Sequence, residues 1–404
     1  MLNARFQRWG LLLLAGLIMA TPAWAQPGAQ PDCDPNLDYV FLAEASFAEF
    51  DYPAAVAFYT CALEFDPDNY DLNALRLDAQ VLAENYVNAF SDAVVLRDFA
   101  PSEITDATFD RYDALIAEDP DDIRGYALRA FLNWYLANDD LAFPDYAEML
   151  RIDPESVLAY LLRGSSYAYT GFPEDAEADF ATTLELDATN PEIYWFIGIT
   201  YGDNADYVSA DRLMSEGIAL NPPDVFEYYA DRAFYRREYG NIMGAIEDLT
   251  QAVGIAQDSA DLFLDLGMAY ELKGRPDIAA GSFYRYTQLI ETDPITFFEP
   301  FTSGDDMTIT LEEGRVFYFE IEMRAQQTLD ITATSVDGFA DPLVVVLGPD
   351  GQTPLVGNDN REPDSTNSLI IEPMPYEGTY TVIVTHGSGG AFGDVAVFIN
   401  VGFG

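Results

Sequence analysis

The stretch that decides the fold runs from Tyr228 to Leu249, YYADRAFYRREYGNIMGAIEDL. Apolar residues recur three and four apart on both sides of a short turn around Gly240, the spacing of two amphipathic helices joined by a tight connection. The pattern returns at Phe263–Phe283, with Gly267, Tyr270, Gly274 and Ala279 in matching places. One position of the first helix then aligns along the chain as Ala43, Leu77, Ala130, Gly164, Gly198, Ala233 and Gly267. Successive spacings are 34, 53, 34, 34, 35 and 34 residues, and the outlier is one period carrying a 19-residue insertion.

Each recurring position has a physical reason. A small residue in the first helix lets the second cross closely. Ala55, Ala89, Ala176, Ala210, Ala245 and Ala279 do the reciprocal job. Pro67, Pro101, Pro120, Pro154 and Pro222 follow second helices, which proline ends because it lacks an N–H and clashes with the preceding turn. Tyr59, Phe180 and Phe283 are expected as wedges between units. With this period and these small residues, about two-thirds of the chain resembles the tetratricopeptide repeat. Seven units are expected over 36–293, and Ile104–Pro120 reads as the second helix of a partial eighth.

Near Pro300 the pattern changes from helical to alternating. The stretches 307–311, 316–321, 328–334, 343–347, 368–371, 379–385 and 395–401 read as strands. Gly348-Pro-Asp-Gly351, Glu377-Gly378 and Gly387-Ser-Gly-Gly390 supply turns. Short strands at this spacing indicate a β-sandwich of jelly-roll type over 305–404, after a linker at 294–304. Glu313-Gly-Arg-Val-Phe-Tyr-Phe, Asp341-Pro-Leu-Val-Val-Val-Leu-Gly-Pro-Asp-Gly, Asn358-Asp-Asn and Gly378-Thr-Tyr-Thr-Val-Ile-Val resemble the bacterial pre-peptidase C-terminal domain. That resemblance implies an accessory module for secretion or for surface and substrate attachment. No peptidase domain accompanies it here. The expected fold class is multidomain α + β, an all-α solenoid followed by an all-β sandwich.

The first residues set the compartment. Arg5 and Arg8 precede the apolar run Leu11–Ala20, and Ala23-Trp24-Ala25 is a small-x-small cleavage site. Residues 1–25 read as a signal peptide, with the mature chain starting at Gln26 and a short segment at 26–35 before the repeats. The expected location is secreted, periplasmic or otherwise in a bacterial cell envelope, with no stable membrane insertion after cleavage. Cys33 and Cys61 are the only cysteines, and an isolated pair in an oxidising compartment reads as one disulfide.

Charge excludes some partners. The net charge of −50 becomes −52 when Arg5 and Arg8 leave with the leader. Such a chain repels phosphate backbones, so nucleic acid is not an expected partner. Self-repulsion for solubility, adaptation to salt and diffuse divalent-cation binding are three readings of the acidity. Lys273 is the only lysine, which suits the salt reading.

No nucleophile elbow, HExxH pair or Walker loop occurs, and the expectation is a protein without enzymatic activity and without a cofactor. His386, the single histidine, reads as a surface or edge-strand residue beside a glycine loop. Asp337, Asp341, Asp359 and Asp364 lie around sandwich loops. They are either turn residues of an acidic protein or oxygen ligands for calcium.

Transferring the positions that line the inner face of such solenoids gives Phe131, Trp134, Tyr135, Ser165, Tyr169, Trp195, Ile199, Phe234, Arg237 and Met268. Glu227, Asp231, Asp261 and Glu271 would form the rim. The expectation is a partly exposed aromatic groove for a protein or peptide partner, with the acidic rim favouring basic residues in that partner. The rival is a calcium-dependent surface or polysaccharide-binding protein acting through the sandwich.

Overall fold

The computed structural model describes residues 33–297, 301, 303–359, 367–387 and 391–403. The leader at 1–25 and its cleavage site lie outside these residues. Among them, fifteen helices precede nine strands, so the expected class is borne out: a tetratricopeptide-like helical solenoid followed by strands in two sheets. By packing, the chain forms two compact units that divide after Tyr239.

The first unit holds α1 (Tyr39–Ala48), α2 (Tyr52–Phe65), α3 (Tyr70–Leu82), α4 (Tyr86–Asp98) and α5 (Ser102–Glu118). It continues with α6 (Ile123–Tyr135), α7 (Asp139–Ile152), α8 (Val157–Thr170) and α9 (Pro173–Leu186). Then come α10 (Pro191–Asp203), α11 (Tyr207–Ala219) and α12 (Val225–Glu238). Helices start where Asp, Asn or Ser side chains accept the freed N–H groups of the first turn. Asp38 caps α1, Asp51 α2, Asn69 α3, Ser156 α8 and Asp206 α11. Gly171 ends α8 in the left-handed conformation, where a Cβ would be strained.

The aligned small residues do what their size demands. A Cβ on Gly164 would stand 2.9 Å from the ring of Phe180, and one on Gly198 2.9 Å from Cε of Met214. At Gly164 a Cβ would force the Phe180 ring to shift, so this helix pair crosses closely. Ala43, Ala55, Ala130, Ala176 and Ala210 are buried at the equivalent crossings.

Charge reinforces the same crossings. Arg76 pairs with Asp92, Arg129 with Asp145 and Arg163 with Asp179, each sixteen residues on. Both guanidinium contacts of Arg163 are 2.8 Å. In each case the arginine stands immediately before the aligned position, Leu77, Ala130 or Gly164.

The 19-residue insertion is resolved as a full helix, α5, rather than a degenerate one. Arg129 bridges Asp113 of α5 and Asp145 of α7, so α5 takes the seat beside α6 that a second helix would occupy. The displaced helix is α4. It packs on α3 and also against α6 and α10.

The second unit begins with α13 (Ile242–Ile255), α14 (Ala260–Leu272) and α15 (Pro276–Ile290). The strands are β1 (Asp293–Thr296), β2 (Asp305–Leu311), β3 (Arg315–Met323), β4 (Gln327–Ser335) and β5 (Pro342–Leu347). They continue as β6 (Pro354–Asn358), β7 (Ser368–Pro373), β8 (Gly378–His386) and β9 (Gly393–Phe403). One sheet runs β1-β3-β8-β5-β6 and the other β2-β9-β4-β7. Among the described strand pairs only β1–β3 is parallel, continued by an isolated parallel bridge from Phe301 to Ile321. Part of the stretch expected as a linker is thus strand β1, paired from Asp293 to Thr296 with Arg315–Tyr318.

The five-stranded sheet is covered on both faces at β5, which is why that strand shows no alternation. Val344 and Val346 join Phe319, Val382 and Val397 in the core between the sheets. Leu343, Val345 and Leu347 point the other way and join Phe283, Leu264 and Ile383 under α14 and α15. A continuous apolar run marks a strand covered twice. Gly357 allows the close approach, since a Cβ there would lie 2.9 Å from Phe283 and 3.1 Å from the backbone of Ala280.

Candidate functional site

The residues expected to line an open groove are mostly core. Phe131, Trp134, Tyr135, Trp195, Ile199 and Ser165 are buried, and so is the expected rim residue Asp231. This corrects the reading of an exposed aromatic face, and the cause is α4. Residues on nearly every side of it are buried, as in a helix that sits inside a core. Tyr86, Ala89, Phe90, Ala93 and Val94 are fully buried. The Phe90 ring meets Phe131, Trp134, Tyr135, Trp195 and Phe196 edge-on, at centroid distances of 5.0–6.2 Å. The chain fills its own inner face.

The indole N–H groups within this core are matched. The Trp134 indole N–H donates to Ser165 Oγ at 3.0 Å, and Ser165 bonds Thr200 at 2.9 Å. The Trp195 indole N–H donates to the Asp231 carboxylate at 2.7 Å. Buried tryptophans with satisfied N–H groups are structural parts.

The seating of α4 has its own cap. The Asn85 side chain accepts no backbone N–H of the first turn of α4 and bonds the Asn88 amide. Instead the Glu192 carboxylate, on α10, accepts the N–H of Val87 at 2.9 Å. Burial pushes the Glu192 carboxyl up to about 7, opposed by that N–H and helped by the nearby Asp224. Asn88 also donates to Asp224 at 3.2 Å.

The remaining groove candidates are half-buried and engaged within the chain. The Tyr169 hydroxyl donates to Asp203 at 2.8 Å. The Arg237 guanidinium lies 5.2 Å from the centroid of Phe234. Met268 packs against the cluster under α14 and α15. Of the rim residues, Glu227 and Asp261 are half-buried, and burial with Asp265 nearby pushes Asp261 up to about 7. Glu271 accepts from the Asn358 amide at 2.7 Å and from the Asp359 N–H, and burial raises it to about 7.

His386 is also corrected. It is buried, not at a surface or edge, because β8 is the middle strand of its sheet. Its Nδ1 bonds the Tyr286 hydroxyl at 3.1 Å, and its ring meets Phe392 edge-on.

Of the calcium candidates, Asp341 and Asp359 both lie beside Gly387, while Asp337 stands in a separate loop. Asp337 is exposed and accepts from Ser335 and the Phe339 N–H within its own loop. Asp359 is buried and Asp341 half-buried, while Asp364 lies outside the described residues. Among the described residues, no group of three or more His, Cys, Asp or Glu side chains is placed to hold a metal ion.

The Cys33–Cys61 disulfide is present, tying the chain before α1 to the body of α2. Next to it the surface opens into a cavity of about 540 Å³ lined by Leu37, Tyr39, Val40, Phe65 and Leu72, with Asp38, Asp66 and Asp71 at its edge. Sequence reasoning missed this place. Its signal was the first helix itself, YVFLAEASFA, apolar on all sides although no described helix precedes it.

No described helix is long and apolar enough to cross a membrane. No family model matches the chain, and no curated protein matches it. Solved structures similar to it include MamA, at 25% identity over 41% of this chain and 89% of that one, with a TM-score of 0.35. YrrB, described as a tetratricopeptide protein with an unusual peptide-binding site, is similar at 18% identity over 44% and 91%, with a TM-score of 0.35. A tetratricopeptide repeat protein from Parabacteroides merdae is similar at 19% identity over 62% and 91%, with a TM-score of 0.36.

Proposed function

We propose that this protein is an exported, non-enzymatic scaffold that binds a protein or peptide partner through its helical repeat. The sandwich serves in this reading as an attachment or secretion module, which rests on its resemblance to the pre-peptidase C-terminal domain. The leader-like first 25 residues and the disulfide support an oxidising compartment outside the cytoplasm.

The observation that carries the reading is an apolar patch on a strongly acidic chain. With the inner face closed by α4, Leu37 just before α1 and Phe65 at the end of α2 stay 52% and 53% exposed on the lining of one depression. Exposed large apolar side chains gathered at one place mark interaction surfaces.

The test is capture of a single polypeptide from the producing cell's envelope by the full mature chain, followed by crosslinking. Carboxylate-directed reagents suit a protein with one lysine. Crosslinks from acids on α1–α15 support the reading. Crosslinks confined to β2–β9 overturn it in favour of the sandwich.

A further inference from the structure

We propose that the cavity at the start of the repeat is a docking site for a peptide that inserts one large apolar side chain between flanking Lys or Arg residues. This rests on the scaffold reading and names the chemistry of the partner.

The shape comes first. The site is a shallow depression open to solvent, of about 540 Å³, with room for one side chain rather than an enclosed ligand. Its wall is aromatic and aliphatic, with the Tyr39 and Phe65 rings stacked at 6.2 Å. Phe65 remains more than half exposed beside it. An apolar wall of this size left open to water is stabilised by an apolar occupant.

The charge around it selects that occupant. Asp38 accepts the Phe41 N–H and Asp66 accepts from the Asn69 amide, and both side chains stand exposed at the edge. Asp66 also ends α2, where the helix dipole is negative and favours a cation. Asp71 is exposed in the first turn of α3. Cations flanking an apolar anchor therefore meet three carboxylates.

Two other occupants fit less well. A second copy of this chain brings a net charge near −50 to an acidic rim. The neighbouring segment Gln26–Asp32, QPGAQPD, has neither a base nor a large apolar side chain.

The experiment uses the mature chain and a fluorescent pentapeptide, glycine-arginine-phenylalanine-arginine-glycine, read by anisotropy. Saturable binding is expected, weakened at least tenfold by replacing the peptide's phenylalanine with alanine or its arginines with glutamates. The Asp66→Asn, Asp71→Asn double variant should bind at least tenfold more weakly. The remote control Glu174→Gln, Asp175→Asn, which removes the same charge from an exposed stretch of α9, should bind as the parent does. Equal losses in both variants would mean diffuse attraction and overturn the proposal, as would absence of binding. Self-association abolished by Phe65→Ser would instead assign the cavity to a second copy. If the peptide fails while crosslinks from a captured partner map to other helices, the scaffold reading stands and this site falls.

Discussion

Glu192 on α10 accepts the backbone N–H of Val87 on α4 at 2.9 Å, across 105 residues of sequence. That bond caps a helix whose own N-cap residue makes no such contact, and it holds the helix that closes the inner face.

The capping carboxylate makes stability depend on pH. Its carboxyl is raised from an ordinary 4.5 to about 7 by burial, so the folded state holds a proton that the unfolded state has lost across that window. Stability from this group is therefore full below about 4.5 and lost as pH rises through 7. Asp261 and Glu271, both raised to about 7, act in the same direction. The melting temperature should fall between pH 5 and 8 at constant ionic strength. Glu192→Gln should flatten the curve and raise stability at pH 8, by an amount on the order of 3 kcal/mol at most. A curve rising over that interval would contradict the burial of these groups.

The aromatic core should behave as core. Phe90→Ala or Trp195→Ala should each cost roughly 3–5 kcal/mol, because each leaves a cavity among close-packed rings. Trp195→Ala also takes the indole donor from the buried Asp231. Urea unfolding measures this, and an unchanged midpoint for both variants would restore an open groove.

Much of this was legible in the chain and part was not. The 34-residue period, the small residues at the crossings and the switch to alternating strands follow from local sterics and burial, which sequence carries directly. The contents of the inner face do not follow from period. Trp134 and Trp195 occupy positions that face inward in a regular solenoid, and their exposure depends on whether α4 lies over them. The insertion was visible, yet the helix it displaces is the one before it. The signal was available in Tyr86, Val87, Ala89, Phe90, Ala93, Val94 and Leu96, which cover about half the helix surface. His386 failed for a related reason, since its place beside glycines suggests an edge whereas strand order puts it in the middle of a sheet.

The repeated ion pairs hold helix crossings together at low exposure. Arg163→Ala should destabilise by about 3 kcal/mol, because it leaves the Asp179 charge buried without its partner. The double variant Arg163→Met, Asp179→Leu should recover most of that loss, since removing both charges removes the desolvation cost. Thermal unfolding of the three chains side by side is the measurement. A double variant no better than the single would show that the pair's geometry, not its charge balance, matters.

The disulfide should act on the first helix pair. It closes a loop of 28 residues' separation, and reduction should cost about 3 kcal/mol through the freedom regained by the unfolded chain. Hydrogen exchange after reduction should speed up in α1 and α2 before it does in α8–α10. Uniform acceleration would mean that this end is not a separable element.

The central claim is that the inner face of the repeat is filled by the chain's own α4. Hydrogen–deuterium exchange at the amides of 86–98 in the native protein tests it most directly. The account predicts that these amides exchange as slowly as those of Trp195 and Phe196 on α10, through global unfolding alone. Exchange of 86–98 within seconds, while α10 stays protected, would mean that α4 leaves the face and would contradict the account.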